Sequence, residues 1–262
     1  MTTWRLIPAG PTLDPASGAR NMAIDQALLE SVAAGAPPVV RFYRWSPATL
    51  SFGRNQPARD RYDEAVARGG GIDFVRRPTG GQAVLHDDEV TYAVIAPIAA
   101  VGRPRVAYAR INEGLVVGLR QLGVEAGPSV ADPERRDWAL ACFRAPERGE
   151  VVVRGRKLVG SAQRTERRTI LQHGSILLGG SQSPAEALRF DAPPGGGDPG
   201  WTTLESELGT RPEPEPVARS VARGLERVLG IQLAASSLSA DERRGARKWT
   251  ERYASPEWTW RR

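Results

Sequence analysis

The sequence predicts an α+β fold, and three observations carry that reading. Helical and strand-like segments are mixed without the strict alternation of a doubly wound sheet. The clearest helix, residues 108–122, puts Tyr108, Ile111, Leu115, Leu119 and Leu122 on one face, and Gly123 follows it. The clearest strand pair, residues 151–153 and 157–162, flanks a turn at Arg154-Gly155. With 262 residues, 40% hydrophobic and 25% charged, the chain supports one large core or two small ones.

The remaining elements follow in order. Residues 21–32 carry Ile24, Leu28 and Val32 at helical spacing, and Gly35 with Pro37-Pro38 ends that helix. Short strands at 39–43 and 49–52 are separated by a turn at Ser46-Pro47. A short helix at 61–68 runs into Gly69-Gly70-Gly71. Strands at 72–76 and 89–95 bracket an arginine-glycine stretch. Residues 132–146 are polar and irregular, 169–178 read as a strand, and 191–200 as a loop or linker. Residues 216–229 form an amphipathic helix before Gly230. Ser239 and Glu242 make a capping-box pattern that opens a last helix to Tyr253. No internal repeat is present.

Composition narrows the class. A single cysteine, Cys142, rules out an internal disulfide and fits a reducing cytosol. The start of the chain lacks the apolar run of a signal peptide, and residues 90–101 are too short to span a bilayer. A cytoplasmic protein is expected. The net charge is +6, and residues 135–168 hold ten Arg or Lys against four Asp or Glu. Such a segment is either a solvated basic face or a patch for a polyanion, nucleic acid or an acidic protein. Of 36 basic side chains only Lys157 and Lys248 are lysines. A lysine kept in so arginine-rich a chain suggests chemistry that needs a releasable proton.

The stretch from Arg76 to His86 concentrates candidate chemistry. Two arginines, Pro78 and Gly80-Gly81 make a cationic loop whose backbone approaches a ligand closely. A plain hairpin turn explains the glycines but not the arginines or His86. Cys142 lies beside Arg144, which favours the thiolate, although lone cysteines are commonly small core residues. Lys157 sits between Arg154-Gly155-Arg156 and an apolar strand, so neighbouring cations and an apolar pocket would both lower its pKa. A surface lysine on a hairpin is the plainer reading. His173 is either a partner for Cys142 or a satisfied structural histidine. Two histidines and one cysteine, without metal-ligand spacing, make a zinc site improbable, and no Walker phosphate loop is present.

Three motifs in order resemble the biotin/lipoate protein ligase superfamily. They are Arg76-Arg-Pro-Thr-Gly-Gly-Gln-Ala-Val-Leu-His-Asp87, Gly155-Arg-Lys-Leu-Val-Gly-Ser-Ala-Gln163 and Leu171-Gln-His-Gly-Ser-Ile-Leu177. The resemblance covers residues 21 to about 178 and, loosely, the tail with Trp258 and Trp260. It implies a single α+β catalytic domain over 1–262, with a mixed sheet around an acyl pocket and helices outside. The core would lie at about 20–180 and a C-terminal helical segment at about 200–262. Within the superfamily the chain looks like the octanoyltransferases built on the ligase scaffold, because Cys142 lies where those enzymes have their nucleophile. Gln82 stands where ligases often have a third glycine, and Glu147-Arg-Gly-Glu150 where Ser-x-Tyr-Glu is expected.

The resemblance also implies roles. Cys142 attacks an octanoyl thioester. Lys157 orients the acyl carbonyl and takes the thiol proton. Gly80 and Gly81 line the acyl chain. Arg76 and Arg77 shape the loop or hold a carrier phosphate. Gln82, His86, Gly160, Ser161 and His173 complete the substrate-binding set. The implied donor is acyl carrier protein. The acceptor is a lipoyl-domain protein, such as glycine cleavage H protein or a dehydrogenase acyltransferase subunit. No cofactor, metal, nucleic acid or membrane is implied. The alternatives are an ATP-dependent lipoate-protein ligase, with Cys142 as the discriminating residue, and a non-catalytic lipoyl-domain or nucleic-acid binding protein on the same scaffold.

Overall fold

The chain begins in a strand that its pattern did not announce, β1 (Thr2–Ile7), which buries Trp4 and Ile7. In this computed structural model the described residues are 1–7, 13, 15–130, 148–191 and 200–262. A two-residue strand, β2 (Pro15–Ala16), leads into α1 (Gly18–Ala33), where the Ser17 hydroxyl accepts from the Arg20 N–H. Strands β3 (Val39–Trp45) and β4 (Thr49–Phe52) follow, joined through a cis Ser46–Pro47 bond. Helix α2 (Glu64–Gly69) starts three residues later than expected, because Asp63 caps it by accepting from the Val66 N–H.

Next come β5 (Asp73–Arg76), β6 (Val84–His86), β7 (Glu89–Pro97), the short α3 (Ile98–Val101) and α4 (Pro104–Gln121). Pro104 stands in the first turn of α4, where its missing N–H is harmless. The edge strand β8 (Gly127–Pro128) precedes β9 (Val151–Val153), β10 (Arg156–Glu166) and β11 (Thr169–Leu177). Arg154 and Gly155 both have positive φ, which gives the tight β9–β10 turn expected from the sequence. Short helices α5 (Ser183–Ala187) and α6 (Leu204–Leu208) lead to α7 (Pro214–Leu229), β12 (Ile231–Ala235), α8 (Ala240–Ala254) and α9 (Pro256–Thr259). The capping box of Ser239 and Glu242 is formed at α8. Cys142 and the irregular 132–146 segment lie outside the described residues, as does most of the 191–200 loop.

Among the described residues the main sheet runs β12-β1-β3-β7-β11-β10-β9-β8, with β2 against β3, and β5-β4-β6 form a second sheet. Pairing is mixed: β1 is parallel to β3 and β12, while β3, β7, β11, β10 and β9 are antiparallel in turn. The α+β expectation therefore holds. Helices α4 and α7 pack one core, with Ile111, Leu115, Val221 and Leu225 against Val94 and Ile176. Helix α1 and the end of α8 pack another, with Leu28, Leu29 and Tyr253 against Ile95 and Leu171.

The Arg76–His86 stretch is not a plain hairpin. Its flanking strands do not pair: β5 lies parallel to β4 in the small sheet, and β7 belongs to the main one. The stretch instead joins β5 to β6, the two outer strands of the small sheet, and the chain passes to the main sheet just after it, at Asp87-Asp88.

Candidate active site

Residues of both sheets line a small cavity, in which about 20 Å³ is open to a water-sized sphere. Five expected residues line it: Arg77, His86, Gly160, Ser161 and His173. Met22, Tyr43 and Trp45 also line it, and the sequence had marked none of them. Arg76, Gly80, Gly81, Gln82 and Lys157 are not part of its wall.

The two arginines are scaffolding for the loop. Both are buried. Arg76 donates to the carbonyls of Gly53 and Gln56 at 2.7 Å and of Thr259 at 2.9 Å. Burial, then the nearby Arg261, Arg262 and Arg77, brings its pKa down to about 10. Arg77 donates to the carbonyls of Gly80 and Gln82 at 2.7 and 2.8 Å, and to the Ser51 carbonyl at 2.9 Å. Of the two roles expected for this pair, the geometry fits shaping the loop; their donors are turned to carbonyls, not to an incoming phosphate. Gly80 and Gly81 lie in the loop, where Arg77 bonds the Gly80 carbonyl, and neither is among the residues that line the cavity. Gly53 lets the loop close on β4: a Cβ there would lie 1.9 Å from the Gly81 carbonyl oxygen.

Two hydroxyl–histidine–carboxylate sets form the polar wall. In the first, Ser51 Oγ is 2.7 Å from His86 Nε2, and His86 Nδ1 is 2.9 Å from Glu89 Oε1. Arg77 also donates to Ser51 Oγ at 3.0 Å. The serine hydrogen is then free for Nε2, so Nδ1 carries the ring proton and donates to Glu89. Thr91 and Ser175 donate to the same carboxylate oxygen, and the His86 ring stacks on Trp45 at 3.9 Å. In the second, Thr79 Oγ1 is 2.7 Å from His173 Nε2, and His173 Nδ1 is 3.0 Å from Asp25 Oδ2. Arg41 donates to Asp25 Oδ1 at 2.6 Å, and Tyr43 donates to Oδ2 at 2.9 Å.

Electrostatics fixes the state of the second set. Burial pushes His173 below its ordinary pKa, against the pull of Asp25, so the ring is neutral at pH 7. Burial alone would raise the Asp25 carboxyl, but Arg41, with bonds from His173 and Tyr43, holds it below its usual value. Both ring nitrogens of His173 are engaged, which makes it a satisfied wall residue.

Lys157 is not a surface lysine. Its side chain is 1% exposed, and Nζ lies 2.8 Å from Glu150 Oε1, itself buried. The neighbouring cations turn outward instead: Arg154 pairs with Glu207, and Arg156 is exposed. The group touching the lysine is thus a carboxylate, not the cations that sequence proximity suggested. The backbone holds Lys157 on both sides, with its N–H to the Gly200 carbonyl and its carbonyl to the Thr202 N–H.

A hydrogen-bonded chain runs from the cavity wall to the backbone next to Glu150. Ser161 Oγ is 2.8 Å from the Tyr92 hydroxyl, which accepts from Gln172 at 2.9 Å. Gln172 donates to Asn112 at 3.0 Å, and Asn112 donates to the carbonyl of Gly149, next to Glu150, at 2.8 Å. Burial raises the Tyr92 phenol to about 12, with Glu150 adding to the shift. Tyr92, Asn112, Gln172 and Glu150 were missed as site residues. Their one sequence signal was polarity at core-facing positions. Among the described residues, no group of three or more His, Cys, Asp or Glu is placed to hold a metal ion. None of the described helices is long and apolar enough to cross a membrane.

A small cavity between two sheets, walled by internally bonded histidines and with a buried lysine–glutamate pair nearby, is the candidate site of this domain. The chain belongs to the lipoyl protein ligase A/B catalytic domain family, whose model matches residues 17–226. It is 40% identical to octanoyltransferase LipM of Kyrpidia tusciae, covering 100% of both chains. It is 36% identical to octanoyltransferase LipM of Bacillus subtilis, covering 99% of both. In fold it is similar to a lipoate-protein ligase A bound with ATP, with a TM-score of 0.82, 22% identity and 99% of each chain covered. A putative lipoate protein ligase from T. acidophilum with bound lipoic acid gives a TM-score of 0.81 at 21% identity, with 100% of each chain covered.

Proposed function

We propose that this chain is an octanoyltransferase of lipoate biosynthesis. It would move an octanoyl group from acyl carrier protein to a lysine of a lipoyl domain through a thioester on Cys142. Identity to octanoyltransferases across the whole of both chains supports the transferase class over the ligases, whose likeness to this chain is one of fold. The structural observation that carries the reading is the buried Lys157–Glu150 pair, next to which, at the Gly149 carbonyl, a hydrogen-bonded chain through Asn112, Gln172, Tyr92 and Ser161 arrives from the wall of the cavity.

The chemistry balances without a nucleotide. The Cys142 thiolate adds to the thioester carbonyl and expels the carrier thiol. The acceptor lysine then attacks the Cys142 thioester, forms the amide and releases the cysteine. Thioester exchange is nearly isoenergetic and amide formation is downhill, so the covalent route divides one transfer into two accessible steps. Lys157 would donate to the developing oxyanion or accept the thiol proton, and Glu150 would hold it in place. Ser51, Thr79, His86 and His173, with their hydrogen bonds already made within the wall, would present the cavity to an apolar chain with little unsatisfied polarity.

The test is transfer without nucleotide. Purified protein incubated with octanoyl carrier protein and a lipoyl domain, in the absence of ATP and magnesium, should produce octanoylated acceptor by intact mass. Modification only from a free acid plus ATP would establish the ligase reading instead.

A further inference from the structure

Arg76 and Arg77 are committed to loop carbonyls and the Ser51 hydroxyl, so a carrier's phosphate needs another host. Next to them, Arg54, Arg164, Arg252 and Arg261 form a cationic cluster. Arg252 and Arg261 lie over the ring of Trp258, with Cζ at 4.4 and 4.1 Å from its centre. Arg261 also donates to the Arg54 carbonyl. The Arg54 N–H donates to the carbonyl of Thr79, whose hydroxyl meets His173 in the cavity wall. Arg164 follows Ala162 by two residues on β10, on the same strand face, and Ala162 lines the cavity. Burial first, then the charges of Arg164 and Arg252, lower the Arg54 pKa, and burial, then Arg54, Arg262 and Arg252, lower that of Arg261.

Compensation is partial there, and Glu166 supplies it. Arg164 pairs with Glu166. Arg54, Arg252 and Arg261 have no carboxylate partner among the described residues, and the buried Nε of Arg261 has no hydrogen-bond acceptor. The Arg252 and Arg261 guanidiniums, held on the Trp258 ring without a carboxylate partner among the described residues, leave donors for an anion with several oxygens.

Resting on the octanoyl-transfer reading, we propose that this cluster binds a phosphate ester, the phosphate of the pantetheine arm that presents the acyl thioester. The phosphate would anchor the arm while the acyl chain enters the cavity.

The octanoyl thioesters of pantetheine and of 4′-phosphopantetheine differ only in that phosphate. With a lipoyl domain as acceptor, the wild type should favour the phosphorylated donor in kcat/KM by about tenfold or more. Arg54→Gln and Arg252→Gln should each bring that ratio toward one. Arg223→Gln, exposed on α7, should leave it as in the wild type. Equal kcat/KM for the two donors, with transfer intact, overturns the proposal and leaves octanoyl transfer standing. No turnover from either donor or from octanoyl carrier protein removes the transfer reading and this proposal with it. Tighter calorimetric binding of ATP or AMP than of 4′-phosphopantetheine would assign the cluster to a nucleotide and overturn it as well.

Discussion

Lys157 Nζ and Glu150 Oε1 are 2.8 Å apart, and both side chains are buried. Removing one charge of such a pair strands the other in a low-dielectric interior. Glu150→Gln is therefore expected to cost about 3 kcal/mol or more of stability, read from urea denaturation. A loss below about 1 kcal/mol would mean that solvent reaches the lysine.

Lys157→Arg separates charge from proton chemistry. Arginine keeps the cation but does not release its proton, and its planar head does not fit a site built for an ammonium. Circular dichroism should report a folded protein, while transfer falls by about a hundredfold or more. Lys248→Arg, at an exposed position on α8, should be silent. Equal activity in the two variants would remove Lys157 from the mechanism.

Acidification should destabilise the protein in stages. Burial holds His173 below its ordinary 6.5, so the unfolded chain takes up this proton first as pH falls. Its contribution is complete above pH 6.5 and is lost as pH falls through the lower folded value. Asp25, kept below 3.8 by Arg41 and its hydrogen bonds against the effect of burial, contributes above that pH and is lost as pH falls further. Urea midpoints measured from about pH 7.5 to 5 should decline, and His173→Gln should flatten that first decline. A flat wild-type profile would contradict the buried neutral imidazole.

Gly53→Ala tests the closure of the Arg76 loop. The added Cβ would meet the Gly81 carbonyl at 1.9 Å, so loop or strand must move, at a cost of about 1–3 kcal/mol with loss of transfer. Gly69→Ala, with nothing within 4 Å of the new Cβ and no positive φ, should be neutral or slightly stabilising. Matching melting temperatures for the two variants would show that the loop is not clamped at Gly53.

Much of the fold was legible because local patterns decided it. The face of Ile111, Leu115 and Leu119 on α4, the Ser239–Glu242 box and the Arg154-Gly155 turn each formed as read. Strands β1 and β12 escaped because their parallel pairing joins Thr2 to Ile231, and neither strand announces such a distant partner. In the site, Lys157 stood out by the rarity of lysine, but its partner Glu150 did not. Arg76 and Arg77 showed their charge in the sequence, whereas the carbonyls that absorb it come from Ser51, Gly53, Gln56, Gly80, Gln82 and Thr259. The Trp258 indole likewise docks from the tail onto the Arg76 carbonyl at 2.8 Å, a contact between residues 182 apart.

The central claim, covalent transfer through Cys142, is tested most directly by intact mass and peptide mapping after incubation with octanoyl carrier protein alone. The wild type should gain one octanoyl group on the Cys142 peptide, labile to hydroxylamine and discharged when a lipoyl domain is added. Cys142→Ala should gain none and transfer none, and Cys142→Ser should be nearly as impaired, because an unactivated hydroxyl attacks a thioester poorly. A label on Lys157, or wild-type transfer by Cys142→Ala, would contradict the account.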